Sequence, residues 1–301
     1  MKTIEEFTTR FPNEDACYAY LFKARFGEGV YCPHCGHKHA YAFSDGKTYK
    51  CAACRQKFTL RTGSIFGESK LPLYKWFLAI YLLSASKKGI SSVQLSEMVG
   101  VTQKTAWFLN HRIREVYAQG KNPLSGKVEM DETYLGGREI NKHSTDKTEG
   151  TQGRSTKTKT PIIGMVERKG EIVAKVVDRV NNAELSAMVD ENALRPITIY
   201  SDSLPAYNGI SKPENRVNHS AGQHTNGKAH TNTIDGFWGT FKRGYVGIYH
   251  IMSRQHLQRY VDEFAFRYNH RDTDSFTSWF GKPLDCYLSY KRLARKDSFI
   301  V

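Results

Sequence analysis

Long hydrophobic runs are missing from this 301-residue chain. The longest, Trp76 to Leu83, is far short of the roughly 20 apolar residues that cross a bilayer, so no helical membrane span is expected. The opening MKTIEEFTTRF has neither the basic start nor the apolar stretch of a signal peptide, which predicts an intracellular, cytoplasmic protein with reduced thiols. Solenoid-type repeats are absent as well. Acidic residues are in short supply: 30 Asp and Glu stand against 44 Lys and Arg, a formal net charge of +14. A balance this basic calls for a polyanionic partner, with nucleic acid first and a merely solvated surface as the alternative. The first 120 residues, with 17 basic and 9 acidic side chains, are the more densely basic part. Apolar content of 40% and charged content of 25% are those of ordinary globular domains.

Cysteine is scarce, yet four of the six fall in two identical knuckles, Cys32-Pro-His-Cys35 and Cys51-Ala-Ala-Cys54. In a reducing compartment this spacing reads as a tetrahedral structural Zn²⁺ site, since zinc takes four soft ligands from two tight turns. A redox pair or two disulfides is the alternative. The intervening Tyr41 to Lys50 predicts two short strands around Asp45-Gly46, a zinc ribbon. His34, His37 and His39 are expected at the surface, and Cys17 and Cys286 as small core residues.

Pro72 should open an apolar helix through Tyr74, Trp76, Phe77, Ile80, Tyr81 and Leu83. A short helix over 90–100, ending in Gly100, and a second over 101–114, with Thr102 as N-cap, give a helix-turn-helix outline. Its second helix would set Gln103, Lys104 and Thr105 into the DNA major groove and turn Trp107, Ile113 and Val116 to the core. Any helical hairpin shows the same outline.

After residue 126 the texture becomes mixed. Strands are expected over 128–135 and 197–200, a hairpin over 162–166 and 171–177, a helix over 183–193, and helices from Asn232 onward, including a long amphipathic stretch over 254–268. Residues 138–160 read as a polar loop. Three acids take notable places: Asp131 within the first strand, Asp202 just after the last, and Asp235 at the start of a helix. Such carboxylates converge readily on a pair of Mg²⁺ or Mn²⁺ ions for phosphoryl transfer, but acids at strand ends and helix starts are also common as caps. Lys242, seven residues past Asp235, lies about 10.5 Å along the same helical face, where it could grip a phosphate.

Taken together, Phe11 to Cys17, the two cysteine knuckles, Val128-Glu-Met-Asp-Glu-Thr-Tyr-Leu-Gly-Gly137, Ser201-Asp-Ser203 with Ala206-Tyr207, Thr231-Asn-Thr-Ile-Asp-Gly-Phe-Trp238, Phe241-Lys-Arg-Gly244 and Gln258 to Asn269 resemble one family. The chain is similar, from about residue 8 to 272, to the insertion-sequence transposases of the DDE superfamily that carry an N-terminal zinc ribbon and an ISXO-type catalytic domain. The resemblance implies an α/β, ribonuclease-H-like mixed sheet with flanking helices. It makes Asp131, Asp202 and Asp235 the catalytic, metal-binding triad; Lys242 is added here as a catalytic residue, and Lys242 and Arg243 as DNA contacts. The family's third acid is usually glutamate, one methylene longer than the aspartate here. Glu132 is expected on the opposite face of its strand, as a structural residue. His230 and Asn232, near that helix start, are the alternative ligands to Asp235. Phe237, Trp238, Phe241, Phe264, Phe266 and Tyr268 recur at core spacing.

The expected layout is a helix and zinc ribbon over 1–60, a helix-turn-helix unit over 70–118 and a catalytic domain over 126–290. The expected activity is binding of an element's terminal inverted repeats, cleavage of its ends and joining of the 3′-hydroxyls to target DNA by two-metal phosphoryl transfer. A homodimer or higher oligomer on DNA follows from joining two ends. The rival readings are a catalytically impaired DNA-binding regulator and a nuclease that cuts without joining.

Overall fold

A computed structural model describes residues 1, 3–27, 29–118, 122–136, 143–151, 154–218 and 225–294. Gly137, parts of the polar loop 138–160, and Arg295 and Lys296 of the basic tail lie outside the described residues. The chain divides into two compact units, Met1–Gly120 with His270–Val301, and Lys121–Asn269.

The first unit starts with α1 (Ile4–Arg10) and α2 (Glu14–Phe26), whose first turns are capped by the side chains of Thr3 and Asn13. A three-stranded antiparallel sheet follows, β1 (Ala40–Ala42), β2 (Thr48–Cys51) and β3 (Lys57–Thr59), in that order. The turn between β1 and β2 is fixed by Asp45, which accepts hydrogen bonds from the Lys47 and Thr48 amides, and by Gly46 at φ 63°. The sequence predicts only these two strands. The third is too short to show a period, and its register comes from pairing Lys57 to Thr59 with β2.

Helix α3 (Leu73–Ala85) begins behind Pro72 and buries Trp76, Phe77, Ile80 and Leu83. Proline has no amide to donate, and the next two N–H groups are taken by Glu14, whose carboxylate accepts from Leu73 and Tyr74. Helices α4 (Ser92–Val99) and α5 (Gln103–Tyr117) form the expected hairpin, with Ser91 and Thr102 as N-caps and Gly100 in the left-handed region at the turn. Leu95, Val99, Ala106, Leu109, Ile113 and Val116 form its buried seam, while Trp107 is half-buried. The chain returns to this unit at His270. Helix α9 (Ser275–Phe280) packs Phe276 and Phe280 against Phe77, and Phe276 against Phe11. Arg25 pairs with Asp285 in the segment that follows, before α10 (Tyr290–Ala294). Residues 270–290, read from the sequence as the end of the catalytic domain, thus sit in the unit that holds the ribbon. Their aromatics complete its ring cluster.

The second unit is a five-stranded sheet, β4 (Leu124–Gly136), β5 (Lys159–Glu167), β6 (Ile172–Val176), β7 (Ala193–Asp202) and β8 (Arg216–Val217), in the order β6-β5-β4-β7-β8. The first two pairings are antiparallel and the last two parallel, the mixed, ribonuclease-H-like arrangement. Helix α6 (Asn182–Asn192) makes the crossover from β6 to β7 and covers one face through Leu185, Met188 and Val189. Helices α7 (Asn232–Gly244) and α8 (Leu257–Asn269) cover the other, burying Ile234, Phe237, Trp238, Phe241, Val261 and Phe264 on Ile162, Val166 and Ala174. The aromatic residues expected in the core are buried, apart from half-buried Tyr268. The strand expected over 197–200 runs from 193 to 202, because β8 pairs with Ser201 and Asp202 and extends it.

Candidate active site and zinc centre

Side chains alternate along β4. Met130 joins the core under α6, whereas Asp131 stands opposite Gly164 of β5 on the face covered by α7. An added Cβ at Gly164 would lie 2.6 Å from the Trp238 ring and 3.0 Å from Ile234. Glycine there lets α7 lie close over the strand pair that carries Asp131. The last parallel pair of β4 and β7 is Glu129 with Tyr200, so two residues further on Asp131 comes beside Asp202, the final residue of β7.

Asp131, Glu132 and Asp202 each place a carboxylate oxygen within 4.8 Å of the others'. Burial, and then the charges of Glu132, Asp235 and Asp202, push the Asp131 carboxyl well above its ordinary pKa. Glu132 sits on the opposite face, as alternation requires, and Tyr207 donates to its Oε2 at 2.9 Å. Its other oxygen nevertheless reaches the cluster. The Arg154 guanidinium spans it and Asp202, with Nε 3.0 Å from Glu132 Oε1 and Nη2 2.7 Å from Asp202 Oδ2. Burial and Asp202 raise the Glu132 pKa against the pull of Tyr207 and Arg154. A purely structural Glu132 does not describe this placement.

Asp235 lies in the first turn of α7, exposed, and its Oδ2 accepts from Thr231 Oγ1 at 3.0 Å. It is outside the 4.8 Å trio, yet close enough for its charge to act on Asp131. Lys242 and Arg243 are exposed two turns later on the same helix. His230 points its Nδ1 at Glu129, 3.1 Å away, rather than at the acids. Hard oxygen donors crowded until one carboxyl resists ionising are a donor set suited to a divalent cation such as Mg²⁺ or Mn²⁺. Sequence reasoning missed Arg154, hidden in a polar loop, and Tyr207, whose hydroxyl meets Glu132 only across the fold.

In the ribbon, Cys32 and Cys54 place their sulfurs 3.6 Å apart, as do Cys35 and Cys51. A disulfide would need about 2.05 Å, whereas tetrahedral Zn–S bonds of about 2.3 Å put sulfurs about 3.8 Å apart. Burial works to raise the Cys51 pKa, but the Cys54 and Ala53 amides and neighbouring thiols bring it down to about 6, while Cys54 is pushed up to about 12. Four sulfurs gathered at this spacing fit a structural Zn²⁺. His34, His37 and His39 are exposed beside it. Cys17 and Cys286 stand apart, their thiols raised to about 12 chiefly by burial. On α5, Gln103 and Lys104 are exposed, and Thr105 is half-buried with its hydroxyl 2.9 Å from that of Thr102. Among the described residues no helix is long and apolar enough to cross a membrane.

Residues 123–269 match the ISXO2-like transposase domain, and residues 12–57 match the transposase zinc-ribbon domain. An uncharacterized protein in transposable element ISH50 of Halobacterium salinarum is 27% identical over 271 residues, covering 85% of this chain and 91% of the relative. Two solved structures share looser similarity. The mariner Mos1 paired end complex with Mg is 13% identical, covers 70% of this chain and 79% of its own, and has a TM-score of 0.27. A pre-cleavage Mos1 transpososome is 11% identical, covers 70% and 78%, and has a TM-score of 0.25. Scores this low carry no weight, and the fold assignment rests on the strand order. Through segments 12–57 and 123–269, which hold both cysteine knuckles and the acidic cluster, the chain belongs to the insertion-sequence transposases with a zinc ribbon and an ISXO2-like transposase domain.

Proposed function

We propose that this transposase binds the terminal inverted repeats of an insertion sequence, cuts the element's ends and joins the freed 3′-hydroxyls to target DNA at one acidic site. The observation that carries this reading is the convergence of Asp131 and Asp202 from adjacent parallel strands, with Asp235 on α7 near enough for its charge to act on Asp131. Asp131, Asp202 and Asp235, joined by Glu132, would hold two Mg²⁺ or Mn²⁺ ions. When bound, these ions activate the attacking oxygen and stabilise the leaving one in an in-line displacement. The side chains orient the site. Tyr207 and Arg154 restrain Glu132, and the Leu204 amide donates to Asp202 Oδ1 at 2.9 Å. Lys242 and Arg243 would grip phosphates flanking the scissile bond, and the basic balance of the chain favours the same ligand. Gln103, Lys104 and Thr105 at the start of α5 would read the repeats in the major groove, together with the zinc ribbon. Joining two ends together calls for a homodimer or higher oligomer on DNA in the cytoplasm.

A DNA-binding regulator without catalysis has one observation in its favour: Asp235, shorter than the family's usual glutamate, lies outside the tight trio of oxygens. A strand-transfer assay on end-containing DNA with Mg²⁺ or Mn²⁺ separates the two. Joined product from the wild type, lost in Asp202→Ala while end binding persists, is the expected result. Equal inertness of both proteins with intact DNA binding would leave the regulator standing, and cut ends without joined product would leave a nuclease.

A further inference from the structure

Glu129 lies two residues before Asp131 on the same face of β4 and is wholly buried. Its Oε2 accepts from the backbone N–H of Thr233 at 2.8 Å and of Ile234 at 3.2 Å, and its Oε1 accepts from Thr233 Oγ1 at 3.1 Å. These are orphan donors of the first turn of α7, one residue short of Asp235. Arg168, just past β5, donates from Nε to the same carboxylate at 2.8 Å and from Nη1 and Nη2 to the carbonyls of Lys228 and His230, both at 2.9 Å, on the approach to α7. The guanidinium also stacks over Tyr200 of β7, 4.1 Å from the ring centroid. One buried carboxylate therefore ties the strand of Asp131 to the helix of Asp235, and one arginine ties both to β7, the strand of Asp202.

We infer that Glu129 and Arg168 are positioning residues that hold α7 in register with β4, so that Asp235 is presented to the ion seated by Asp131 and Asp202. This rests on the metal-site reading above. Neither side chain belongs to the trio of close carboxylates. A buried ion pair kept only for stability would be replaceable at little cost to the site. A clasp linking two elements that each carry a ligand acts on metal affinity itself, and losing such a partner typically weakens binding about tenfold to a hundredfold.

The test is Mn²⁺ titration of the full, zinc-loaded chain as wild type, Asp202→Ala, Glu129→Gln and Arg168→Gln, with hydrogen exchange read at Thr233 and Ile234. Glu129→Gln removes a negative charge near the ion and Arg168→Gln a positive one. Charge acting through space would thus shift the Mn²⁺ dissociation constant in opposite directions. The clasp predicts that both variants bind about tenfold or more weakly, with faster exchange in the first turn of α7 and unchanged exchange in the sheet. An Arg168→Gln protein that binds Mn²⁺ as tightly as wild type, or more tightly, overturns the proposal. Should Glu129→Gln not fold, Arg168→Gln decides alone, since it keeps the carboxylate. Absence in the wild type of any Mn²⁺ binding that Asp202→Ala removes would instead defeat the metal site, and the clasp with it.

Discussion

Asp131 and Gly164 face each other across β4 and β5, and the missing Cβ at Gly164 sets how closely α7 approaches the acids. In Gly164→Ala the new methyl would meet the Trp238 ring at 2.6 Å, a contact relieved only by lifting the helix. Overpacking of this kind costs about 1–3 kcal/mol. Because a displacement of about 1 Å at a reacting centre costs on the order of a hundredfold, the strand-transfer rate should fall further than stability does. Denaturant midpoints and single-turnover rates on the same preparation check this, and an unchanged rate would contradict it. Tyr207→Phe tests the neighbouring network. It strips Glu132 Oε2 of its 2.9 Å donor while Oε1 keeps Arg154, and leaving one buried carboxylate oxygen without a donor costs about 1–3 kcal/mol. The folded protein should lose that stability near neutral pH, measurable by denaturant unfolding. The loss should shrink as acid protonates Glu132, whose pKa is already raised.

At the scale of the element, α5 offers a separation of roles. Lys104→Ala should weaken binding to all DNA alike and reduce the slope of log affinity against log salt by about one. Gln103→Ala should relax discrimination among end sequences while leaving that slope intact. Fluorescence titrations at several salt concentrations on end and scrambled duplexes distinguish these outcomes. Metal removal tests the ribbon: chelation should abolish ordered structure over residues 32–59, since a three-stranded sheet of three- and four-residue strands has little core of its own. Amide spectra before and after chelation check it. These elements also mark what was legible in the sequence. The cysteine pairs could be read because ligand and spacing are local, as could the cap and glycine turn of α4 and α5. The meeting of Asp131 with Asp202 required a parallel pairing that spacing does not reveal, and came from the family resemblance. Glu129 passed unnoticed because its partners, Thr233 and Ile234, lie more than a hundred residues on, and nothing local distinguishes it from a strand acid facing solvent. Glu132 lies on the opposite face as expected, but its nearness to Asp131 and Asp202 was not legible, because alternation fixes the direction of Cβ and not the reach of a longer side chain.

At the scale of the whole molecule, the transposase-domain match at 123–269 nearly coincides with the second compact unit. The first unit draws on both sides of it, taking Phe276, Trp279, Phe280 and Leu284 into its buried interior. A chain truncated after Asn269 should keep the sheet of the second unit and lose cooperative folding of the first, because those side chains would leave a cavity lined by Phe11, Phe66 and Phe77. Calorimetry should show one transition near its wild-type position and one shifted down or gone. The sequence places the end of the catalytic domain near 290, whereas the chain crosses back into the first unit at His270, because the partners of Phe276 and Phe280 are Phe11 and Phe77.

The split layout of the first unit also governs timing on the ribosome. Its ribbon and α5 emerge early but stay unfinished until α9 arrives, after the whole of Lys121–Asn269 has been made. A nascent or prematurely stopped polypeptide therefore completes the unit of the acidic cluster while the unit that holds the ribbon still lacks its last helices.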